Sequence, residues 1–223
     1  MYTSWFLILI YLALIPLCAE SASYNPGGRT EFVSGLAFDK IYYYSGYDGG
    51  QMRYNDFFYI DLKQSFSSSS PPYQFIKDSL EFSDRIGAAT VSHANKLYAF
   101  GGDTPLPRLC KIQSLSADPE VVYIPNTFST PYLRKWHTSV IDHINEKIYV
   151  WGGVNGTGTV MNYSFLSSTK NDGNMYIFDI VQSVWTSNIT PNQPNGRCLH
   201  TATFVPDGRI IMIGGATNSD VGN

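Results

Sequence analysis

The chain has 223 residues and a formal net charge of −3, with aromatic and charged residues each at 15% of the total. So few charges of such balanced sign give no basic patch, and neither nucleic acid nor an acidic membrane surface is expected as a partner. Without its first 21 residues the chain still has roughly 200, enough to bury a sizeable core.

The chain opens with a continuously apolar run from Trp5 to Cys18, followed by the small residues Ala19, Ser21 and Ala22. A bilayer span needs about 20 apolar residues, whereas the apolar stretch of a secretory leader needs about 7 to 15. Residues 1–21 therefore read as a signal peptide, cleaved after Ala19 or Ser21, although no Lys or Arg precedes the run. This directs the protein into the secretory pathway, to be secreted or held at the cell surface. Membrane attachment would need an uncleaved leader or an anchor beyond Asn223.

Within residues 22–223, one pattern recurs four times: an arginine, an apolar run of alternating character, then a glycine doublet or its near relative. Arg29 leads to Ser45-Gly46, Arg85 to Gly101-Gly102, Arg134 to Gly152-Gly153 and Arg197 to Gly214-Gly215. Each unit begins with a β-hairpin signature. In the first, Phe32 to Tyr44 turns through Phe38-Asp39-Lys40. In the second, Ala88 to Val91 and Lys96 to Phe100 flank Ser92-His93-Ala94-Asn95. The third turns through Asp142 to Glu146, and the fourth through Pro206-Asp207-Gly208, whose Asp-Gly pair tolerates the positive φ of tight hairpins.

A second hairpin follows in the first three units. Asn55 to Leu62 matches Gly173 to Ile180, and each leads to an aromatic, Phe66 or Trp185. Cys110 to Leu115 and Val121 to Ile124 form a weaker counterpart in the second unit. The expected units are residues 28–75, 84–125, 133–190 and an incomplete 196–223. Two hairpins make a four-stranded sheet, and copies at this period bury their faces by stacking; radial stacking gives an all-β propeller. Trp185 is expected to supply buried area between blades.

The apolar run ending in Gly-Gly, the Tyr-x-x-Asp-like strand after it and the closing Trp resemble the kelch repeat, across essentially all of Gly28 to Asn223. Ser45-Gly46 in the first doublet and the missing closing Trp of the second unit depart from the pattern. The resemblance implies a kelch-type β-propeller of four-stranded antiparallel blades, about three and a half of them present. Kelch propellers close with roughly six or seven blades, and propellers in general with about four to eight. The chain is therefore expected to be an N-terminal fragment or a truncated product.

Other candidate residues are placed by this register. Cys110 and Cys198, the cysteines outside the leader, are the candidates for a disulfide in an oxidising compartment. A full unit separates theirs, which argues against a bridge, since paired Cα atoms lie within about 7 Å. Free buried thiols, or partners outside this chain, are the alternatives. Asn155, Asn162 and Asn188 head N-x-S/T tripeptides and are candidate glycan acceptors. His137 and His200 each stand three residues after a repeat arginine, and His93 and His143 both fall in first-hairpin turns. Recurrence at equivalent positions points to packing, and no metal or other cofactor is expected. The arginines read as repeated hydrogen-bond donors to backbone carbonyls.

No Gly-x-Ser-x-Gly elbow and no His-Glu-x-x-His occurs. Copper-radical oxidases resembling galactose oxidase carry kelch-like propellers, so the N-terminal part of such an enzyme is the alternative; 16 tyrosines and Cys198 near His200 supply ingredients but no local motif. The primary expectation is a non-catalytic binding module for protein or carbohydrate ligands. Its loops after the doublets would carry recognition: Tyr47 to Arg53, Asp103 to Arg108 and Val154 to Asp172.

Overall fold

The computed structural model describes residues 24–50, 52–78, 85–103, 109–113, 115, 119–126, 131, 133–154, 173–188 and 193–217. The apolar leader, Asn155, Asn162 and the rest of residues 155–172, and residues 104–108 of the loop after the second doublet lie outside them. Among the described residues there are fourteen β-strands and no helix. Sheet 1 runs β1 (Val33–Ala37), β2 (Lys40–Tyr44), β3 (Phe57–Asp61) and β4 (Gln74–Lys77), and sheet 2 runs β5 (Ala89–His93), β6 (Lys96–Phe100), β7 (Leu109–Gln113) and β8 (Glu120–Tyr123). Sheet 3 runs β9 (Thr138–Asp142), β10 (Lys147–Trp151), β11 (Met175–Asp179) and β12 (Val184–Asn188). Sheet 4 pairs β13 (Cys198–Phe204) with β14 (Ile210–Ala216).

Every pairing is antiparallel between strands consecutive in sequence, and the first hairpin of each sheet closes through a short turn. Phe38 and Asp39, with φ of 51° and 58°, make the two-residue turn of sheet 1, and Ala94 and Asn95, with φ of 46° and 57°, make that of sheet 2. Two consecutive left-handed residues match the right-handed twist of the flanking strands. In sheet 3 the longer turn is organised by Asp142, whose Oδ1 accepts hydrogen bonds from the backbone N–H groups of Ile144 and Asn145.

The sheets stack face to face, with β1 packed on β5, β5 on β9 and β9 on β13. The four first strands are thus gathered together and the later strands fan outward. Side-chain alternation then assigns each face. Val33, Ala37, Tyr42, Tyr44 and Phe57 of sheet 1 meet Leu97, Ala99, Cys110 and Ile112 of sheet 2. The opposite face of sheet 2, Val91, Tyr98, Phe100 and Leu109, meets Ile148, Val150, Tyr176, Phe178 and Trp185 of sheet 3. A strand buried on both faces cannot alternate apolar with polar, which is why β6 reads as a continuous apolar run. Trp185 fills the second interface, 5.1 Å from the Phe100 ring and 5.2 Å from that of Phe178.

Phe66 is not the counterpart of Trp185. It is 40% exposed and precedes a longer connection, and the fourth strand of sheet 1 forms eight residues further on, at Gln74–Lys77. There Phe75 lies opposite Phe58 in the pairing. The serines and prolines between Phe66 and Tyr73 favour turn over strand and displace the last strand along the sequence. The Cys110–Cys198 bridge does not form either: both cysteines are free and buried. Cys110 donates its S–H to the Ala99 carbonyl at 3.4 Å in one interface, while Cys198 packs with Trp136 and Val154.

Candidate functional site

Each repeat arginine reaches the end of its own first hairpin. Nη1 of Arg85 donates to the Gly101 carbonyl at 2.8 Å, that of Arg134 to Gly152 at 2.9 Å, and that of Arg197 to Gly214 at 3.0 Å. Arg29 makes the corresponding bond to Ser45 at 3.3 Å and adds a two-pronged ion pair with Asp56 at 2.6 and 2.9 Å. The fixed fork of donors suits a carbonyl at the end of a strand.

The same segments also join neighbouring sheets. The backbone N–H of Gly102 donates to the Arg134 carbonyl at 2.9 Å, and that of Gly153 to the Arg197 carbonyl at 2.9 Å. A Cβ on Gly101 or Gly152 would overlap that arginine's carbonyl oxygen, and both residues hold positive φ, 73° and 72°. On Gly152 it would also lie 2.7 Å from His200 Cε1. His137 and His200 therefore seat on the doublet of the preceding unit, edge-on to its last aromatic: His137 stands 5.6 Å from Phe100 and His200 4.8 Å from Trp151. Burial and the nearby Arg134 charge push the His137 pKa well below its ordinary value, and burial with Arg197 pushes that of His200 down to about 4. Both are neutral packing groups at physiological pH.

Two residues beyond each arginine lies a position that the repeat pattern does not reveal. Glu31, Gly87, Trp136 and Leu199 all have left-handed φ, 53°, 72°, 56° and 57°. They form a ladder from sheet to sheet: Gly87 N donates to Glu31 O at 3.0 Å, Trp136 N to Gly87 O at 2.9 Å, and Leu199 N to Trp136 O at 2.9 Å. Aligning the arginines exposes the position, but its four unlike side chains hide it from any search for similarity.

Around this ladder, at the doublet end of the first strands, side chains of opposite charge converge with aromatics. Lys135 is fully buried and Trp136 nearly so, with the Lys135 ammonium 4.6 Å from the Trp136 ring. Burial raises the Glu31 carboxyl pKa, opposed by hydrogen bonding to Trp136, the Lys135 charge and hydrogen bonding to Tyr47. Burial lowers the Lys135 pKa, opposed by the charges of Asp103 and Glu31. Asp103 receives a hydrogen bond from Arg53 Nη2 at 2.9 Å, tying the post-doublet loops of sheets 1 and 2 together. Perturbed, paired charges beside exposed loops mark sites of recognition more often than ordinary surface does.

The sequence argument placed Tyr47, Arg53, Asp103 and Val154 in recognition loops, and the structure brings the first three to this mouth. Val154 pairs with Lys135 through two backbone hydrogen bonds, N–H to carbonyl in each direction, at 3.0 and 3.2 Å. Asn188 is exposed at the end of β12. At the opposite, turn end of the first strands is a groove of about 570 Å³, walled by Val91, Val140, Ile141, Ile144 and Phe204, with Asp142 and His143 at its edge. Among the described residues no group of three His, Cys, Asp or Glu side chains is placed to hold a metal ion. No family model matches the chain, and no curated protein is significantly similar to it.

Proposed function

We propose that this chain is part of a kelch-type β-propeller that enters the secretory pathway and acts as a non-catalytic binding module for protein or carbohydrate ligands. The four stacked antiparallel sheets support the propeller reading, and a bond from the repeat arginine to the first residue of its doublet, Ser45 in the first unit and glycine in the other three, recurs in all four units. The mouth formed by Glu31, Tyr47, Arg53, Asp103, Lys135 and Trp136 is the observation that carries the binding function. Its half-buried Tyr47 ring suits a sugar ring or an apolar side chain, and its exposed Arg53 suits hydroxyl, carboxylate or amide groups, while the buried Lys135 and Trp136 hold the floor in place. The loops deliver these groups while the sheets hold them rigid.

The test is an array of glycans and peptides probed with purified wild-type protein and with Arg53→Ala and Asp103→Asn variants of unchanged melting temperature. Selective binding by the wild type that weakens in both variants supports the reading. Binding untouched by either variant, or hydrogen peroxide release on sugar alcohols by the purified protein, overturns it.

A further inference from the structure

The β5–β6 and β9–β10 turns occupy equivalent places in sheets 2 and 3; His93 is the last residue of β5, just before the first turn, and His143 lies in the second. Stacking of the sheets brings these two together, far from the buried pair His137 and His200. His93 Nδ1 lies 3.2 Å from His143 Nδ1, with the ring centroids 5.5 Å apart and the planes inclined by 23°. Behind them, Glu146 Oε1 lies 3.0 Å from His93 Nε2. We infer that the His93–His143 pair is a binding site for a late first-row divalent metal ion, ligated by Nδ1 of both rings.

Spacing carries the inference first. An ion with two Zn–N bonds of about 2.0–2.1 Å in tetrahedral array holds its nitrogens about 3.3 Å apart. The observed separation already matches that demand. His143 is exposed at its turn, so a modest ring rotation turns its lone pair toward the point that His93 also faces.

Protonation is the second support. A carboxylate only accepts, so Glu146 fixes the proton of His93 on Nε2 and leaves the Nδ1 lone pair free to bind. The N–H between the rings then belongs to His143. When the ion enters, that proton leaves His143 Nδ1 for its Nε2 or for water, and the two lone pairs take its place. A carboxylate behind a ligating imidazole is the arrangement that orients such ligands and raises their basicity.

Two imidazoles favour Zn²⁺, Cu²⁺ and Ni²⁺ over Mg²⁺ and Ca²⁺, which prefer six or more oxygens. Asp142 does not complete the set, because Oδ1 accepts from the Ile144 and Asn145 backbones and Oδ2 from the Asn145 side chain. The ion therefore keeps open positions for water or for a donor from outside the chain. His143 also lines the groove of about 570 Å³, so those positions lie at its rim. Because the ligands come from two sheets, the ion also clamps sheet 2 to sheet 3.

Zn²⁺ is the probe, titrated calorimetrically into the purified full chain after chelation, with Mg²⁺ in parallel. The expected result is one Zn²⁺ bound per chain and no heat from Mg²⁺. His93→Ala and His143→Ala each weaken binding by about tenfold or more, and Glu146→Gln also by about tenfold through the orientation of His93. Ring resonances of His93 and His143 shift on Zn²⁺ addition while those of His137 and His200 do not. If His93→Ala fails to fold, the exposed His143→Asn substitution carries the test. Absence of Zn²⁺ binding at millimolar concentration, or binding equal in wild type and His143→Asn, overturns the proposal.

Discussion

The two ends of the first strands obey different rules. At the doublet end, glycines, arginine carbonyls and neutral histidines of adjacent sheets interlock, with no room for a Cβ on Gly101 or Gly152. At the turn end, the turns of sheets 1 and 2 share a pair of left-handed residues, those of sheets 3 and 4 are built differently, and all stay exposed. The repeat signature thus encodes the joint between sheets, while the turn end is free to vary. The proposed mouth lies at the doublet end too, but is built from side chains that differ between units, so recurrence located the architecture and said little about binding.

The largest effect that can test this contrast comes from two glycines of nearly equal φ. Gly152 at 72° has the Arg197 carbonyl and His200 against it, whereas Gly214 at 74° has nothing within 4 Å. Gly152→Ala is expected to destabilise the protein by about 4 kcal/mol or more, combining strain with overlap against backbone. Gly214→Ala should cost roughly 1–2 kcal/mol, the left-handed penalty alone. Urea unfolding of both variants measures the difference, and equal losses would show that the joint adds nothing beyond backbone strain.

Arginine provides the next comparison. Arg134 is buried, donates to Gly152 and lies 4.7 Å from the Tyr176 ring, whereas Arg197 makes its equivalent bond in a half-exposed setting. Arg134→Ala should cost about 2–3 kcal/mol and Arg197→Ala less than about 1. Matching losses in the same unfolding assay would break the link between burial and the strength of the joint.

A pH dependence separates the two ends as well. His137 and His200 have depressed pKa values in the folded chain, so below about 6.5 the unfolded chain binds protons that the folded one refuses. Their contribution to stability is full above that value, is lost as the pH falls, and for His200 levels off below about 4. Urea midpoints measured across this range should fall less steeply for His200→Gln than for the wild type. An unchanged slope would remove His200 from the acid response. No comparable dependence is expected from substitutions of Ile144 in the exposed turn.

Much of the fold was legible because its cause is local and repeated. Alternation marked the strands, and Asp207-Gly208 marked its hairpin. The second unit's weaker segments still became β7 and β8, since Cys110 and Ile112 bury one face of β7 and Leu109 the other. Phe66 misled because an aromatic at the right distance says nothing about the serines and prolines after it. The candidate site was less legible, since Glu31, Lys135 and Trp136 share no residue type with their equivalents. Glu31 and Trp136 share with Gly87 and Leu199 only a left-handed backbone angle and a hydrogen-bond partner in a neighbouring sheet, and Lys135 shares neither. His93 and His143 were visible as equivalents, but equivalence became proximity only once adjacent sheets placed their turns side by side.

The ladder through Glu31, Gly87, Trp136 and Leu199 separates what must be kept from what can change. Its bonds run through the main chain, so the geometry is held by atoms that every residue carries. An acid, no side chain, an indole and an aliphatic group already occupy the four rungs. Chemistry can therefore be rewritten at the Glu31, Trp136 and Leu199 rungs by substitution, for the modest conformational cost of a left-handed residue, whereas a Cβ on Gly87 would press on the Trp136 ring at 3.1 Å. Selection could retune what this surface recognises without disturbing the register that aligns the sheets.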